Sequence, residues 1–456
     1  MIFCKAFSWH SRRTYFRHTC IISLVLVFIC VFNLWIPATL PYFEIIAIRW
    51  GARFRENLMA KPKFDFLPNY KNPCFIKKES TRGKHMIVSD GNWNGMSETI
   101  KRYNTGHGFS PSIKLSSDPR LPEAHQSEYE GINRTKDSGG RLYCLPYFII
   151  AGFPKCGTTD LWHRMIQHPD IVVHPTEKEP MFFDNRRFYN DTPKIRPPVS
   201  QTEKDGTWLL ETYLEFFTEP TTSIEKHFDT RNGKPYHYKV TGEGSSNTMP
   251  INDEWFQLPE NSNLREPKYT NADHVHHLIP QIKIIIMIRD PVERLLSGHL
   301  YFSEKYKYNT SKEIFHNLVV DAVNKFKNCL KYNTERGCAY DKSTTTIKNR
   351  IRVGLYAIHI ADWFRVFSRH QFLFLKTEDY IQDVRGTLVK VFDFLQLGFP
   401  PLRSMSSILS KEKMNQRTKT FAMLPATRKL LQDFYRPYND RLWTLLGDRS
   451  FHYTYP

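Results

Sequence analysis

The sequence predicts an α/β fold, a central and mostly parallel sheet flanked by helices, preceded by a single N-terminal transmembrane helix and a stem. Three observations carry that expectation. From Arg141 onward strand-like and helix-like runs alternate, as in a sheet whose parallel strands are joined by crossover helices. Two strand-to-helix units stand out, Tyr147 to Gln167 (YFIIAGFPKCGTTDLWHRMIQ) and Gln281 to Tyr301 (QIKIIIMIRDPVERLLSGHLY). An uncharged run, Ile21 to Ile36, follows a leader that carries Lys5, Arg12, Arg13 and Arg17 and no acid.

The apolar run is short for a full span, but Pro37 to Leu40 complete it, giving a signal-anchor over 21–40 behind a cytosolic tail, 1–20. A cleaved signal peptide is the competing reading; the long leader and the lack of a small-x-small cleavage site argue against it. Arg49, Arg53 and Arg55 follow the span and reduce the charge asymmetry. Residues 41–140 are polar and rich in Gly, Pro, Asn and Ser, and read as a stem that becomes partly ordered near the domain formed by 141–456. Cys74, Cys144, Cys156, Cys329 and Cys338 lie beyond the span. Cys329 and Cys338 flank a short polar loop and are expected to pair in an oxidising compartment. A Cys74–Cys144 pair would leave Cys156 free, although sequence alone does not fix connectivity. The sequons at Asn133, Asn190 and Asn309 agree with secretory passage.

The chain has 456 residues, 41% of them hydrophobic, enough for a large core. Lys and Arg number 64 against 46 Asp and Glu, a formal net charge of +18. Such an excess calls for a polyanionic partner, whether nucleic acid, acidic lipid or acidic glycan, or else marks a generally basic solvated surface.

In the first unit, Phe148 to Ile150 read as a buried strand, Gly152 and Gly157 permit a tight turn, and Leu161, Trp162, Met165 and Ile166 form one face of the following helix. The first amides of that helix lack internal partners, so the turn is an anion cradle. A triphosphate loop would read GxxxxGK[ST]. Here Thr158 follows the second glycine and the lysine, Lys155, stands inside the loop.

In the second unit, Ile282 to Ile288 is the near-continuous apolar run of a strand buried on both faces. Asp290 is expected to cap the next helix, with Pro291 at its first position and Glu293 completing a capping-box-like pattern. Arg289 then lies at the carboxyl end of a central strand, with Ser297 two turns into the helix. Further on, Tyr236 to Val240 reads as a strand feeding the turn GEGSSNTM, Asn349 to Phe367 as a helix and Gln371 to Leu375 as a strand. Thr377 to Leu395 reads as one capped helix burying Tyr380, Ile381, Val384, Leu388, Val391 and Phe392. Ser410 to Thr420 is a basic interruption before a last helix, roughly Ala426 to Leu446.

GFPKCGTT and RDPVERLLSGHLYF, in that order, resemble the Golgi carbohydrate sulfotransferases. The likeness runs from about Arg141 to Gly447 and includes EKEPMFFD, GEGSSNTM and RVGLY. Within the group the chain looks most like the chondroitin/dermatan N-acetylgalactosamine 4-sulfate 6-O-sulfotransferases. The resemblance implies a P-loop-like α/β domain that binds 3'-phosphoadenylyl sulfate (PAPS). It matches Lys155, Cys156, Gly157, Thr158 and Thr159 to the loop that holds the 5'-phosphosulfate, and Arg289 and Ser297 to the pair that holds the 3'-phosphate. It also matches Glu179 to the catalytic base and Lys155 to the group that meets the bridging oxygen. His174 and His299 are the other bases within reach of the motif, and Lys178 is placed to orient the base or meet an acidic substrate. Arg417 and Lys419 are weaker candidates for nucleotide contacts.

The acceptor so implied is an acidic glycosaminoglycan rather than nucleic acid, and the setting a single-pass type II protein of the Golgi membrane. Because the leaving group is already a phosphate, the chemistry does not call for a metal ion. Three alternatives stay open: a nucleotide kinase, against which Thr158 stands where its lysine should be; a sulfotransferase for another glycan such as heparan sulfate; and a non-catalytic glycan-binding protein. The acceptor position and oligomeric state are not legible.

Overall fold

The computed structural model describes residues 64–78, 140–184, 210–258, 261, 263–412, 414 and 421–455. The expected tail and membrane span, the sequons at Asn133 and Asn190, and Arg417 and Lys419 lie outside these residues. Asn309 is exposed.

The centre is a four-stranded parallel sheet. β3 (Phe148–Gly152) lies between β6 (Gly242–Glu243) and β7 (Lys283–Ile288), and β8 (Phe372–Lys376) adds to the far side of β7. β3 is buried at every position, and Ile284 to Ile288 are fully buried, because both faces of these strands are covered. Each such Ile removed from water contributes roughly 1.5–3 kcal/mol. Two antiparallel pairs lie outside the sheet: β1 (Cys74–Lys78) with β2 (Gly140–Cys144), and β4 (Asp229–Arg231) with β5 (Lys234–Tyr236). The first pair is stapled by a Cys74–Cys144 disulfide between directly opposed residues, and Phe75 stacks on Phe64 with ring centroids 3.8 Å apart. Strand structure and core contacts thus reach into the segment that composition marks as stem. A Cys329–Cys338 disulfide closes the second predicted loop, and Cys156 is free and buried.

The helices follow in chain order as α1 (Thr158–Met165), α2 (Leu210–Glu215), α3 (Thr218–Lys226), α4 (Asn271–Leu278), α5 (Pro291–Tyr306), α6 (Lys312–Cys329), α7 (Glu335–Tyr340), α8 (Tyr356–Phe364), α9 (Thr377–Gln382), α10 (Val384–Phe394), α11 (Leu402–Ser410) and α12 (Pro425–Leu446). Leu295 and Leu296 of α5, Phe315 and Val323 of α6, and Leu431 and Tyr435 of α12 share a second core beside the sheet. That core fixes α5 as a rigid wall.

The structure corrects several sequence expectations. Asp290 does cap α5, accepting from the Val292 amide at 2.8 Å, but its own N–H donates to Glu378 rather than to Glu293, which instead pairs with Arg428 at 2.7 Å. Tyr236 to Val240 is not a sheet strand: Tyr236 ends a hairpin, and the sheet strand is Gly242–Glu243 itself. The helix read over 349–367 is a 3₁₀ turn, Ile351–Gly354, followed by α8. The helix read over 377–395 is two, because the Asp383 side chain caps a new start by accepting from the Gly386 amide at 2.7 Å. The break turns Ile381 outward, 56% exposed, where unbroken periodicity would bury it.

Candidate active site

β3 delivers the chain into the anion loop at the carboxyl edge of the sheet. Lys155 (φ 70°) and Gly157 (φ 85°) both take left-handed backbone, curling the loop so that successive amides converge. Among the described residues the N–H groups of Gly157, Thr158 and Thr159 have no hydrogen-bond acceptor. Three unpaired donors at a helix start are a site for an anion. The Thr377 hydroxyl bridges the carbonyls of Cys156 (2.7 Å) and Ile288 (2.9 Å), tying the loop to the ends of β7 and β8.

Cys156 departs from the expected role. Its thiol is fully buried, 3.9 Å from the Tyr356 hydroxyl, and its amide donates to Phe153 at 3.3 Å. Burial pushes the thiol up to about 11, so it is a packed neutral group facing away from the cradle.

The Lys155 ammonium sits 3.9 Å from the centroid of the Tyr301 ring on α5, with its stem beside Gly298. It therefore leans across the loop mouth toward the helix that carries Ser297, which is half-buried. Arg289, at the end of β7, reaches back to donate to the Lys155 carbonyl at 3.3 Å and has no carboxylate within ion-pair distance among the described residues. Lys155 and Arg289, distant in sequence, thus meet at the loop, and Ser297 lies on the helix whose Tyr301 and Gly298 are approached by Lys155.

The opposite wall is built by the KEPMFFD segment and the end of β6. The Lys178 ammonium lies 2.8 Å from Glu179 Oε1 and 3.4 Å from the Thr158 hydroxyl, so it links the candidate base to the anion loop. The Ser246 hydroxyl also faces Glu179, at 3.4 Å. The two histidines are engaged elsewhere in different degrees. His299 is buried, with its ring nitrogens against the Lys348 carbonyl and the Thr310 hydroxyl, and burial lowers its proton affinity. His174 stacks on Phe216 and accepts the Glu177 amide at 3.1 Å on Nδ1.

One residue escaped the sequence reading. Glu243 is fully buried; Tyr213 donates to it at 2.7 Å and Ser245 at 2.6 Å, and the Ser245 oxygen in turn accepts from the Met181 amide at 3.0 Å. Met181 takes φ 54°, unusual for a side chain with a Cβ, two residues after Glu179. Glu243 thereby holds the turn that follows Glu179. Burial pushes its carboxyl up to about 7, against the two donated hydrogen bonds. Its only signal in sequence is a carboxylate between two glycines, Gly242 and Gly244.

A further tether joins α1 to the segment after α11. Arg164 donates to the carbonyls of Ile408 (2.6 Å) and Lys411 (2.8 Å), and Asp160 accepts the Met414 amide at 2.8 Å. The start of the basic Ser410 to Thr420 segment is therefore docked on the helix whose first turn carries the loop amides.

The family model described as a sulfotransferase domain matches residues 145–429, from just before β3 into α12. The chain belongs to the sulfotransferase family. Among relatives of this sulfotransferase, carbohydrate sulfotransferase 15 of Homo sapiens is 32% identical over 85% of the chain, and that of Mus musculus 36% identical over 85%. The match spans 65% of the length of each of those relatives. Heparan sulfate glucosamine 3-O-sulfotransferase 3B1 of Mus musculus is 25% identical over 73% of the chain and 70% of its own length. The sulfotransferase model covers both walls of the crevice, including the loop, Glu179, Glu243, Arg289 and Ser297.

Proposed function

We propose that the protein transfers a sulfuryl group from PAPS to a hydroxyl of a glycosaminoglycan, at the 6-O position of N-acetylgalactosamine 4-sulfate in chondroitin or dermatan sulfate. The observation that carries the reading is the Thr158–Lys178–Glu179 link, which couples a carboxylate to an anion loop with unpaired amides. In this reading the loop amides and Thr158 hold the 5'-phosphosulfate, and Arg289 and Ser297 hold the 3'-phosphate. Glu179 removes the proton from the acceptor hydroxyl as its oxygen bonds to sulfur. The sulfur–oxygen bond to the 5'-phosphate breaks, and Lys155 meets the charge that develops on the departing oxygen. Similarity to the carbohydrate sulfotransferase 15 proteins supports a carbohydrate acceptor. The N-terminal apolar run and basic leader support a type II anchor in the Golgi membrane.

The test is incubation of the lumenal protein with radiolabelled PAPS and chondroitin, dermatan and heparan chains, followed by disaccharide analysis. Label at the 6-position of 4-sulfated N-acetylgalactosamine is the expected outcome. Label confined to glucosamine would replace this acceptor with heparan sulfate; PAPS binding without transfer to any chain would leave a glycan-binding protein. Glu179→Gln should retain PAPS affinity and lose about 10²- to 10⁴-fold in turnover.

A further inference from the structure

Arg350 stands between the two walls of the crevice. Its Nη2 donates to Asn247 Oδ1 at 3.2 Å, and Asn247 follows Ser246, whose hydroxyl faces Glu179. Its guanidinium also lies 5.5 Å from the centroid of the Phe302 ring, and the neighbouring Tyr301 ring carries the Lys155 ammonium. The side chain therefore touches the turn that carries Ser246 and the helix that carries Tyr301.

The charge around it is not balanced. Arg294, fully buried, donates to the Arg350 carbonyl at 2.9 Å, and its Nε has no hydrogen-bond partner among the described residues. Arg352 takes Asp253 at 3.0 Å. Among the described residues neither Arg350 nor Arg294 has a carboxylate within ion-pair distance; Asp253, held by Arg352, and Asp184 act on Arg350 from further away. Burial, then Arg294, pulls Arg350 down to about 10. A half-buried cation with no carboxylate in direct contact gains more from an incoming anion than a solvated one does. Beside it, Phe302 stacks with the half-exposed Tyr306, centroids 6.0 Å apart, offering an apolar face of the kind on which a sugar ring rests.

We infer that Arg350, with Phe302 beneath it, is an acceptor-recognition site that takes an anionic substituent of the sugar next to Glu179. The inference rests on the glycosaminoglycan reading above and adds the residue that selects a charged acceptor. The anion is either a ring sulfate or a uronate carboxylate, and both fit a planar donor fork.

The test compares wild type with Arg350→Gln, which keeps a hydrogen bond to Asn247 without the charge, and with Arg350→Lys. Acceptors are chondroitin 4-sulfate, its desulfated form and its carboxyl-reduced form. The expected result is a KM for chondroitin 4-sulfate raised about 10- to 100-fold in Arg350→Gln, as for loss of a charge-assisted hydrogen bond, and less in Arg350→Lys. Affinity for adenosine 3',5'-bisphosphate should be unchanged. On the chain that lacks the contacted group the variant and wild type should have equal KM, which names the group as sulfate or carboxylate. A wild type that transfers to all three chains with KM values unmoved by Arg350→Gln, or a variant that loses nucleotide affinity and thermal stability in step with KM, overturns the inference alone. Absence of wild-type transfer to every chain overturns the underlying reading and the inference with it.

Discussion

Gly244 leaves the space through which Lys178 passes: a Cβ built on Gly244 would stand 2.6 Å from Lys178 Cε and 2.9 Å from its Cγ. The glycine's amide also donates to the Lys178 carbonyl at 2.9 Å, so the two backbones run in contact. The lysine that joins Glu179 to the anion loop thus passes where a Cβ on Gly244 would stand.

Gly244→Ala should therefore displace Lys178 from Thr158 and Glu179. We expect turnover to fall about tenfold or more, as for a misplaced catalytic group, with nucleotide affinity nearly unchanged. Steady-state kinetics beside calorimetric titration of adenosine 3',5'-bisphosphate separates the two. Equal loss in both would mean that the loop itself had moved.

Arg289→Ala removes the guanidinium that donates to the Lys155 carbonyl. Loss of a charge-assisted phosphate contact should weaken adenosine 3',5'-bisphosphate binding by about 10- to 100-fold. Binding of adenosine 5'-phosphate, which lacks the 3'-phosphate, should change much less. An equal effect on both ligands would separate Arg289 from the 3'-phosphate.

Glu243 gives a pH prediction with a definite sign. Burial raises its carboxyl from 4.5 to about 7 in the fold, so the native state holds a proton that the unfolded chain has released. Stability from this group is full below about pH 4.5 and is lost as pH rises through 7, by roughly 3 kcal/mol in total. Glu243→Gln should flatten that slope in urea unfolding measured between pH 5 and 8, while the same fall in the variant as in wild type would place its origin elsewhere. Because Tyr213 and Ser245 donate to this carboxyl, turnover of the variant should also fall as the Met181 turn loosens.

Breaking the Cys74–Cys144 bridge with paired serines should lower stability by about 2–5 kcal/mol, since the bond spans 70 residues of chain. Cys156 should stay inert to thiol reagents until the protein unfolds, because it is wholly buried and its thiol is held neutral. Rapid labelling of native protein at Cys156 would contradict its placement.

The parts legible in the sequence were those encoded over short distances. The β3 turn, the β7 run and the Asp290–Pro291 start each depend on neighbouring residues, and each lies where periodicity and capping rules put it. What escaped depends on residues far apart in the chain. Glu243 looks like a polar turn until Tyr213 and Met181 converge on it, and Ile381 looks buried until Asp383 starts a new helix. The bulk of β1's packing was equally hidden, because Phe64 and Phe75 sit in a stretch whose average composition is polar. Lys155, Arg289 and Ser297 were legible one by one, whereas the crossing of Lys155 onto Tyr301 required the helix geometry.

The docking of Asp160 and Arg164 against Ile408, Lys411 and Met414 gives α1 an attachment on its flank besides the one at its loop end. Eight residues long, the helix is too short to flex between its loop end and its tethered flank. A tilt of α1 would carry the loop amides and the segment bonded to Asp160 and Arg164 by the same rotation, so the two ends move as one stiff lever rather than as independent loops.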